Sequence, residues 1–357
     1  MGKDMKRNDY YKQHVLEYID KLDLAWLANK SMLITGVTGM LGSALADMLL
    51  LANKKYSLNL KVIGVGRNRE KAEKLLDYDW YKDGSFVFVE QDIVQPLHKD
   101  IQGIDYVVHA ASNAYPAVFK QYPVETMLAN IVGTKNLLEL ARREKSRLLF
   151  VSSSEVYGEC NCDVKSEDDY GYLNSMESRS CYPNAKRAAE TLCVSYSAEY
   201  GVDTVVVRPS HVYGPTFTDV DNRVVTEFIR EAMQGHNLIL QSEGKTVRSY
   251  TYVLDACNGI LTVLNKGKTS EAYNIADEEK FVSIAELARV IAKIGDIDVV
   301  FDIKDDTYIG QTSISRQVMS GKKLKCLGWI GKYNVEGGLR ETFACMAINN
   351  EETHGRD

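Results

Sequence analysis

The chain has 357 residues, of which 45% are hydrophobic, so it fits one large α/β unit with a smaller lobe better than several small domains. Its net charge of -6 comes from charges of both signs spread along the chain, so we expect neither nucleic acid nor an anionic membrane as a partner. No apolar run approaches the roughly 18 residues of a membrane span, and the charged start MGKDMKRNDYYK precedes no signal-peptide core, so we expect a cytoplasmic protein.

The hydrophobic pattern divides the chain into segments. Residues 10–30 have apolar positions at helical spacing, which predicts an additional N-terminal helix. From Ser31 onward, short β-branched runs alternate with amphipathic stretches of helical length, as is typical of a doubly wound parallel (Rossmann) sheet. The predicted strands are SMLITG, LKVIGVG, FVFVEQD, YVVHAA, RLLFVSS and TVVVRPS. The predicted segments are an N-terminal helical extension (1–30), a dinucleotide-binding domain (31–210), a mainly substrate-binding α/β lobe (211–345) and a tail (346–357).

A glycine-rich turn, ITGVTGMLGSAL, follows the first predicted strand and precedes an apolar helix. Its glycines, Gly36, Gly39 and Gly42, permit a tight turn and a close approach of backbone to a pyrophosphate, and the helix N-terminus offers free N–H donors. The turn therefore predicts a dinucleotide site, with Met40 and Leu41 beside the cofactor. The alternative is an ordinary glycine-rich turn between a strand and a helix.

The second predicted strand ends in Gly66 and Arg67, where an NAD enzyme usually has an acid for the ribose hydroxyls. Arg67 could hold a 2′-phosphate and so favour NADP, could lie across the adenine, or could be a solvated arginine at a helix start. These three roles stay open.

The ends of the next two strands complete the predicted cofactor site. Asp92 and Ile93 follow the third strand, where they could flank the adenine. Ala110 and Ala111 follow the fourth strand, and their small side chains would let the cofactor lie close to the edge of the sheet.

Tyr182 and Lys186 form a Y-x-x-x-K pair on one face of the helix in CYPNAKRAAETL. A free tyrosine has a pKa near ~10, so a tyrosine base needs a neighbouring cation that stabilises the phenolate, and a lysine one turn away supplies it. We therefore predict that both residues are catalytic and also contact the cofactor. A surface pair is the alternative.

The segment RLLFVSSSEVYG ends a predicted strand with a cluster of hydroxyls, at the sheet edge where doubly wound folds bind ligands. Ser153 could orient the substrate hydroxyl that is oxidised, and Ser152 could serve the backbone or the cofactor. Glu155 could move protons after the oxidation, although a solvated loop carboxylate is the alternative.

Taken together, GxxGxxG at 36–42, SSSEVYG at 152–158, the Tyr182/Lys186 pair and the later GKTVRSYTYVLD resemble the extended short-chain dehydrogenase/reductase superfamily of nucleotide-sugar epimerases, dehydratases and decarboxylases. The resemblance covers roughly residues 31–345. It implies bound NAD, a nucleotide-sugar substrate oxidised at C4, and a homodimer. The dimer would form through two helices of each subunit, the helix with Tyr182 and the helix near 130–143.

Within that superfamily, the residues after Ser153 distinguish the reactions. The 4,6-dehydratases have Asp-Glu where this chain has Ser154 and Glu155, and the 4-epimerases usually lack the glutamate. The resemblance is closest to the UDP-glucuronate decarboxylases, which carry Ser-Glu there and are similar along SRSCYPNAKRAAETLC and DNRVVTEFIREAMQG. A 4-epimerase, a 4,6-dehydratase and an NADP-dependent keto-sugar reductase stay open, and a UDP-sugar is favoured as substrate.

Four residues are predicted to bind the substrate: Ser154, His211, Arg223 and Arg248. Arg248 matches the superfamily's arginine near the substrate phosphates, and Arg223 in DNRVV is a second candidate. His211 in RPSHVYGP replaces the superfamily's substrate-contacting Asn. A histidine can titrate near neutrality, so it could change sugar or phosphate recognition, or it could simply keep one hydrogen bond.

Seven cysteines are an odd number, and most lie in apolar segments, which indicates reduced core thiols rather than a disulfide framework. The core thiols expected are Cys193, Cys257, Cys326 and Cys345. Cys160 and Cys162 have no second pair and no nearby His at zinc spacing, so we expect no metal site.

Overall fold

The computed structural model describes residues 7–76, 83–303 and 315–351. Within these residues, seven parallel strands form one sheet: β1 Ser31–Thr35, β2 Lys61–Gly66, β3 Phe86–Glu90, β4 Tyr106–His109, β5 Arg147–Val151, β7 Thr204–Pro209 and β11 Ala272–Ile275. Their order across the sheet is β11-β7-β5-β4-β1-β2-β3, which confirms the predicted doubly wound α/β fold. All six strands predicted from the sequence are among them.

The helices connect the strands and cover the sheet, as parallel pairing requires. In chain order they are α1 Asp9–Ile19, α2 Met40–Tyr56, α3 Arg69–Leu75, α4 Pro116–Gln121, α5 Pro123–Glu144, α6 Cys181–Tyr200, α7 Val224–Met233, α8 Val253–Lys266, α9 Ile284–Gly295, α10 Lys322–Lys325 and α11 Val335–Glu351. None of the helices in the described residues is long and apolar enough to cross a membrane.

The strand order reverses between β1 and β4. Thr35 at the end of β1 pairs with Val65 of β2 on one side and with His109 of β4 on the other. Crossovers leave this point in opposite directions, which opens a crevice at the carboxyl ends of the two strands. The segments that follow β1, β4 and β5 therefore meet at one place.

A second set of strands lies mainly in the later part of the chain. In the described residues, β12 Phe281–Ser283, β10 Val247–Tyr252, β14 Arg316–Met319 and β6 Val164–Lys165 form a mixed sheet that β8 His211–Tyr213 joins along β10, while β9 Leu238–Leu240 pairs with β13 Val299–Phe301. Strand β11 returns to the large sheet from the segment assigned to the substrate lobe. The division at residue 210 stays a prediction.

The predicted N-terminal helix is present as α1, and it packs on the body of the protein. Its buried Val15 and Ile19 join the main hydrophobic core. Tyr11 donates to the buried Asp47 of α2 at 2.9 Å, and Tyr18 donates to the buried Asp255 of α8 at 2.7 Å. Because both buried carboxylates are paired with tyrosine hydroxyls of α1, the extension is tied to α2 and α8.

The structure corrects two of the cysteine predictions. Cys160 and Cys162 are joined in a disulfide, because the C-x-C spacing brings their Cα atoms to 5.4 Å, within the range that a disulfide spans. Cys326 is exposed rather than in the core, since it follows the short helix α10, whose buried residue is Leu324. Cys193, Cys257 and Cys345 are free and buried, as predicted.

Candidate active site

The glycine-rich turn forms a cradle of backbone atoms at the start of α2. Gly36 has a φ of +70°, and its N–H donates to the carbonyl of Val65 at 3.1 Å. A Cβ on Gly36 would lie 2.8 Å from the Cα of Ala111, and a Cβ on Gly42 would collide with the carbonyl oxygen of Gly36. Only glycine fits at these two positions, because the turn, the helix and the end of β4 approach each other so closely.

This cradle fits the pyrophosphate of a dinucleotide. Helix α2 begins at Met40, and its N-cap residue, Gly39, has no side chain that could occupy the N–H groups of the first turn, so these donors can meet an anion. The carbonyl of Met40 accepts from Thr216 at 2.9 Å, and the carbonyl of Leu41 faces the thiol of Cys257 at 3.9 Å. Met40 and Leu41 therefore also link the turn to later parts of the chain.

The residues predicted to lie near the adenine differ in their burial and in their contacts. Arg67 is exposed at the end of β2. The carboxylate of Asp92 accepts from the N–H of Val94 at 3.0 Å and so caps its own turn. Ile93 is buried against Gly133 of α5, where a Cβ would lie 2.7 Å from the Ile93 side chain. The cofactor contacts of Arg67, Asp92 and Ile93 stay predictions.

A buried histidine that the sequence reasoning did not single out lies beneath the cradle. Nδ1 of His109 is 2.8 Å from the hydroxyl of Thr35, which also accepts from the N–H of Ala111 at 3.2 Å. Burial, and after it the charge of Lys186, lowers the pKa of His109 to about 3, so the imidazole is neutral. The His109–Thr35 contact fixes the ends of β4 and β1, on which Ala110 and Ala111 follow directly.

Tyr182 and Lys186 share a buried face of α6, as the spacing predicts. The Lys186 ammonium lies 5.7 Å from the centre of the Tyr182 ring and donates to the carbonyl of Val151 at 2.7 Å. Burial lowers the pKa of Lys186 to about 7. The lysine therefore holds the end of β5 as well as facing the phenol, and its proton is only weakly held at neutral pH.

The pKa of Tyr182 shows which groups surround the phenol. Burial raises this pKa most, and the Glu155 carboxylate raises it further. A hydrogen bond with Ser153 and the positive charges of Arg223 and Arg179 lower it. The structure thus brings the predicted catalytic residues Tyr182, Ser153 and Glu155 together, with two arginines beside them.

Glu155 is held by an arginine that the sequence reasoning missed. Arg179 pairs with both of its carboxylate oxygens, at 3.1 and 3.3 Å. The Arg179 guanidinium lies 4.5 Å from the centre of the Phe119 ring, and this ring stacks on Tyr182 at 5.3 Å. Arg179 precedes Tyr182 by three residues, a spacing that could have indicated it, whereas Phe119 comes from the separate helix α4.

The serine cluster follows β5 at the edge of the sheet. The hydroxyl of Ser153 accepts from the N–H of Glu155 at 3.2 Å and so caps the 3₁₀ turn Ser154–Tyr157. The carbonyl of Ser154 accepts from Gln317 at 2.7 Å. The hydroxyl of Ser152 is buried and has no hydrogen-bond partner within the described residues, which fits a group whose partner is a ligand.

His211 and Arg248 lie on neighbouring strands. His211 on β8 pairs with Tyr250 on β10, two residues after Arg248. Burial, and then the charges of Arg248 and Arg223, lowers the pKa of His211 to about 3. Of the two roles left open for His211, the one that keeps a single hydrogen bond is therefore favoured, because burial and two nearby cations disfavour the charged imidazole.

The two predicted substrate arginines differ in what holds them. Burial lowers the pKa of Arg248, and the charges of Tyr250 and Glu155 act in the opposite direction. The Arg248 guanidinium is therefore close enough to Glu155 for the two charges to interact. Arg223 pairs with the buried Asp221 at 2.6 Å and donates to the carbonyl of Val212 at 2.8 Å. Arg223 thus anchors its own segment, and substrate binding by either arginine stays a prediction.

A comparison with protein families shows which group of enzymes shares these features. The model of the NAD dependent epimerase/dehydratase family matches residues 32–276, which contain the glycine cradle, Ser153 and the Tyr182/Lys186 pair. The chain belongs to this family. It is therefore an NAD-dependent enzyme of the extended short-chain dehydrogenase type, which confirms the predicted superfamily and its cofactor NAD.

Similar curated proteins share most of the length of the chain. It is 32% identical to the UDP-glucuronic acid decarboxylase 1 of Xenopus tropicalis over 317 residues, which cover 88% of this chain and 71% of that protein. It is 31% identical to the UDP-glucuronic acid decarboxylase 6 of Arabidopsis thaliana over 312 residues, which cover 87% of both.

Solved structures share the fold at lower identity. The UDP-glucose 4-epimerase of Thermotoga maritima superposes with a TM-score of 0.75 at 24% identity, over 90% of this chain and 99% of that one. A dTDP-glucose 4,6-dehydratase of Streptomyces venezuelae superposes with a TM-score of 0.75 at 23% identity, over 91% and 99%. At these identities the superpositions show the fold alone.

Proposed function

We propose that the enzyme acts on a nucleotide sugar and decarboxylates UDP-glucuronate to a UDP-pentose. The observation that carries this proposal is the position of Glu155, whose charge acts on both Tyr182 and Arg248. A carboxylate beside the phenol places a second proton-transfer group where the sugar ring would be oxidised. The similarity to UDP-glucuronic acid decarboxylases at about 30% identity supports the same reaction.

The reaction begins with the removal of a proton from the C4 hydroxyl. Tyr182 takes this proton, and Ser153 holds the hydroxyl through a hydrogen bond. Bound NAD supplies the acceptor for the C4 hydride. The ketone left at C4 is β to the C6 carboxylate, so CO₂ leaves without a metal ion. A proton from solvent, passed on by Glu155, adds to C5 in place of the lost CO₂, and reduction of the C4 ketone completes a redox-neutral cycle.

The environment of Glu155 suits a group that acts after the oxidation. The two hydrogen bonds from Arg179 stabilise the carboxylate and fix its direction. Ser154 stands where a 4,6-dehydratase has an aspartate, which disfavours elimination of water. An epimerase needs no proton donor at C5, so Glu155 also disfavours simple epimerisation.

The substrate phosphates would meet Arg248 and the neutral His211. A guanidinium holds phosphate oxygens in two places, and the burial of Arg248 strengthens the attraction. A neutral imidazole contributes a hydrogen bond rather than a charge. His211 therefore acts as a polar substitute for the superfamily's asparagine.

The proposed reaction is tested by mass spectrometry of the products formed from UDP-glucuronate, UDP-glucose and dTDP-glucose. Loss of CO₂ from UDP-glucuronate is expected. Loss of water from a neutral hexose would make the enzyme a dehydratase, and unchanged mass with altered stereochemistry would make it an epimerase. Stoichiometric consumption of added NADPH would make it a keto-sugar reductase.

We also propose that the enzyme is a homodimer in which α5 and α6 of each subunit meet. Large hydrophobic side chains are exposed on these two helices, which pack against each other: Val124, Met127, Leu128 and Val194. Exposed apolar side chains that cluster on neighbouring helices favour a subunit interface. A second copy of the chain would bury them.

A further inference from the structure

The segment 158–172 carries a group of metal-ligating side chains that the proposed reaction does not use. The sulfur atoms of Cys160 and Cys162 and a carboxylate oxygen of Asp169 all lie within 4.8 Å of one another. All three side chains are partly buried. Sequence spacing alone did not indicate this group, because the third residue is neither a cysteine nor a histidine.

Two sulfurs and a carboxylate oxygen are ligand types that suit a soft divalent cation. Zinc is bound by thiolates at about 2.3 Å and by carboxylates at about 2.0–2.2 Å, so two sulfurs of one tetrahedral site lie roughly 3.8 Å apart. In the structure the two sulfurs are bonded to each other, so this separation requires that the disulfide be opened first. Reduction of the Cys160–Cys162 disulfide lets the two sulfurs separate to this distance.

The carboxylate of Asp169 is already oriented. The N–H and the hydroxyl of Ser166 both donate to its Oδ2 atom, at 2.7 and 2.8 Å. These two bonds hold the carboxylate in one orientation close to the two sulfurs. Hydrogen bonds of this kind to a ligating carboxylate raise metal affinity in known sites.

The ends of the segment are fixed, so the three ligands are held close before a cation arrives. Glu159 and Tyr172 exchange two backbone hydrogen bonds, at 3.0 and 2.9 Å, and the N–H of Gly171 donates to the carbonyl of Tyr157 at 2.8 Å. The guanidinium of Arg187 donates to the carbonyl of Gly171 at 2.8 Å. A loop closed in this way loses little further entropy on binding an ion.

We propose that Cys160, Cys162 and Asp169, with the two cysteines reduced, bind one divalent cation of the zinc class. Two S–H bonds break, two metal–sulfur bonds form, and the two protons pass to solvent. Because the group is partly exposed, water supplies the fourth ligand. The site is a cross-link within segment 158–172, and its existence does not depend on which nucleotide sugar the enzyme modifies.

Cobalt(II) is the probe, because tetrahedral thiolate coordination gives it visible absorption bands. The full-length enzyme is first reduced with a phosphine, which takes up the oxygen of one water molecule as the disulfide becomes two thiols. The reduced enzyme is then titrated with Co²⁺ under argon. We expect one Co²⁺ per chain, with thiolate-to-cobalt charge-transfer bands. Zinc should displace the cobalt and remove the bands.

Three variants assign the site. The double variant Cys160→Ser/Cys162→Ser should lose the bands, and Asp169→Asn should weaken Co²⁺ binding by about 10-fold or more. Cys326→Ser, which removes an exposed free thiol elsewhere, is the matched control and should bind as the wild type does. Absence of the bands in the reduced wild type, or their retention in the double variant, overturns the proposal.

A second measurement needs no substitution. Iodoacetamide labelling of the reduced wild type, followed by peptide mapping, reports the reactivity of each cysteine with and without Zn²⁺. Protection of Cys160 and Cys162 together, with Cys326 still labelled, supports the site. Equal labelling with and without zinc, or a pair that stays oxidised in the reductant, contradicts it. Loss of decarboxylase activity alone bears on the proposed function and not on this site.

Discussion

Replacement of Lys186 by methionine is expected to change how the stability of the protein depends on pH. Burial lowers the pKa of Lys186 from 10.5 to about 7. This lowering of the pKa corresponds to a cost of about 5 kcal/mol for keeping the ammonium charged in the folded protein. Below pH ~7 the whole cost is present. Between pH ~7 and ~10.5 the unfolded chain binds the proton more tightly, so wild-type stability rises with pH.

Lys186→Met removes that charge and also the hydrogen bond to Val151, which contributes about 1 kcal/mol. The variant should therefore be more stable than the wild type by about 3–4 kcal/mol at pH 6, and less stable by about 1 kcal/mol above pH ~10.5. Urea unfolding of the nucleotide-free proteins at several pH values measures the difference. Lys99→Met, at an exposed position, is the control. A difference between Lys186→Met and wild type that stays constant from pH 6 to pH 10 would refute the reasoning.

Three further predictions follow from the site and the proposed interface. Gly36→Ala should weaken NAD binding by at least ~10-fold, as measured by titration calorimetry. The control is Gly103→Ala, where φ is a similar +68° but the space around the new Cβ is open, so this variant should lose only the ~1–2 kcal/mol of stability that backbone strain costs, as measured by thermal melting. Glu155→Gln should lower turnover by roughly 10²–10⁴-fold, while the absorbance of reduced nicotinamide still rises on addition of UDP-glucuronate. If the absorbance does not rise, Glu155 is needed for the oxidation itself. Met127→Lys should shift the protein toward monomer in light scattering, and an unchanged mass would remove α5 from the interface.

The sequence predicted well those features that depend on local pattern. The six strands, the helix over Tyr182 and the glycine turn are each encoded within short stretches, and the structure contains all of them. Tyr182 and Lys186 lie on one buried face because their spacing matches a helical turn. The sequence could therefore indicate both the family and its central pair of residues.

The features that depend on burial or on contacts between distant elements could not be predicted in this way. The neutrality of His211 follows from its burial between two arginines of other segments. The stack of Arg179, Phe119 and Tyr182 requires α4 to lie against α6. Asp169 joins Cys160 and Cys162 only because the segment between them folds back on itself.

The decarboxylation of UDP-glucuronate is tested most directly with substrate labelled with carbon-13 at C6. The account predicts that labelled CO₂ and UDP-pentose form in equal amounts, with no net change in nicotinamide absorbance, and that Tyr182→Phe abolishes both products. Retention of the label in the nucleotide sugar, or turnover that survives Tyr182→Phe, would contradict the proposed reaction.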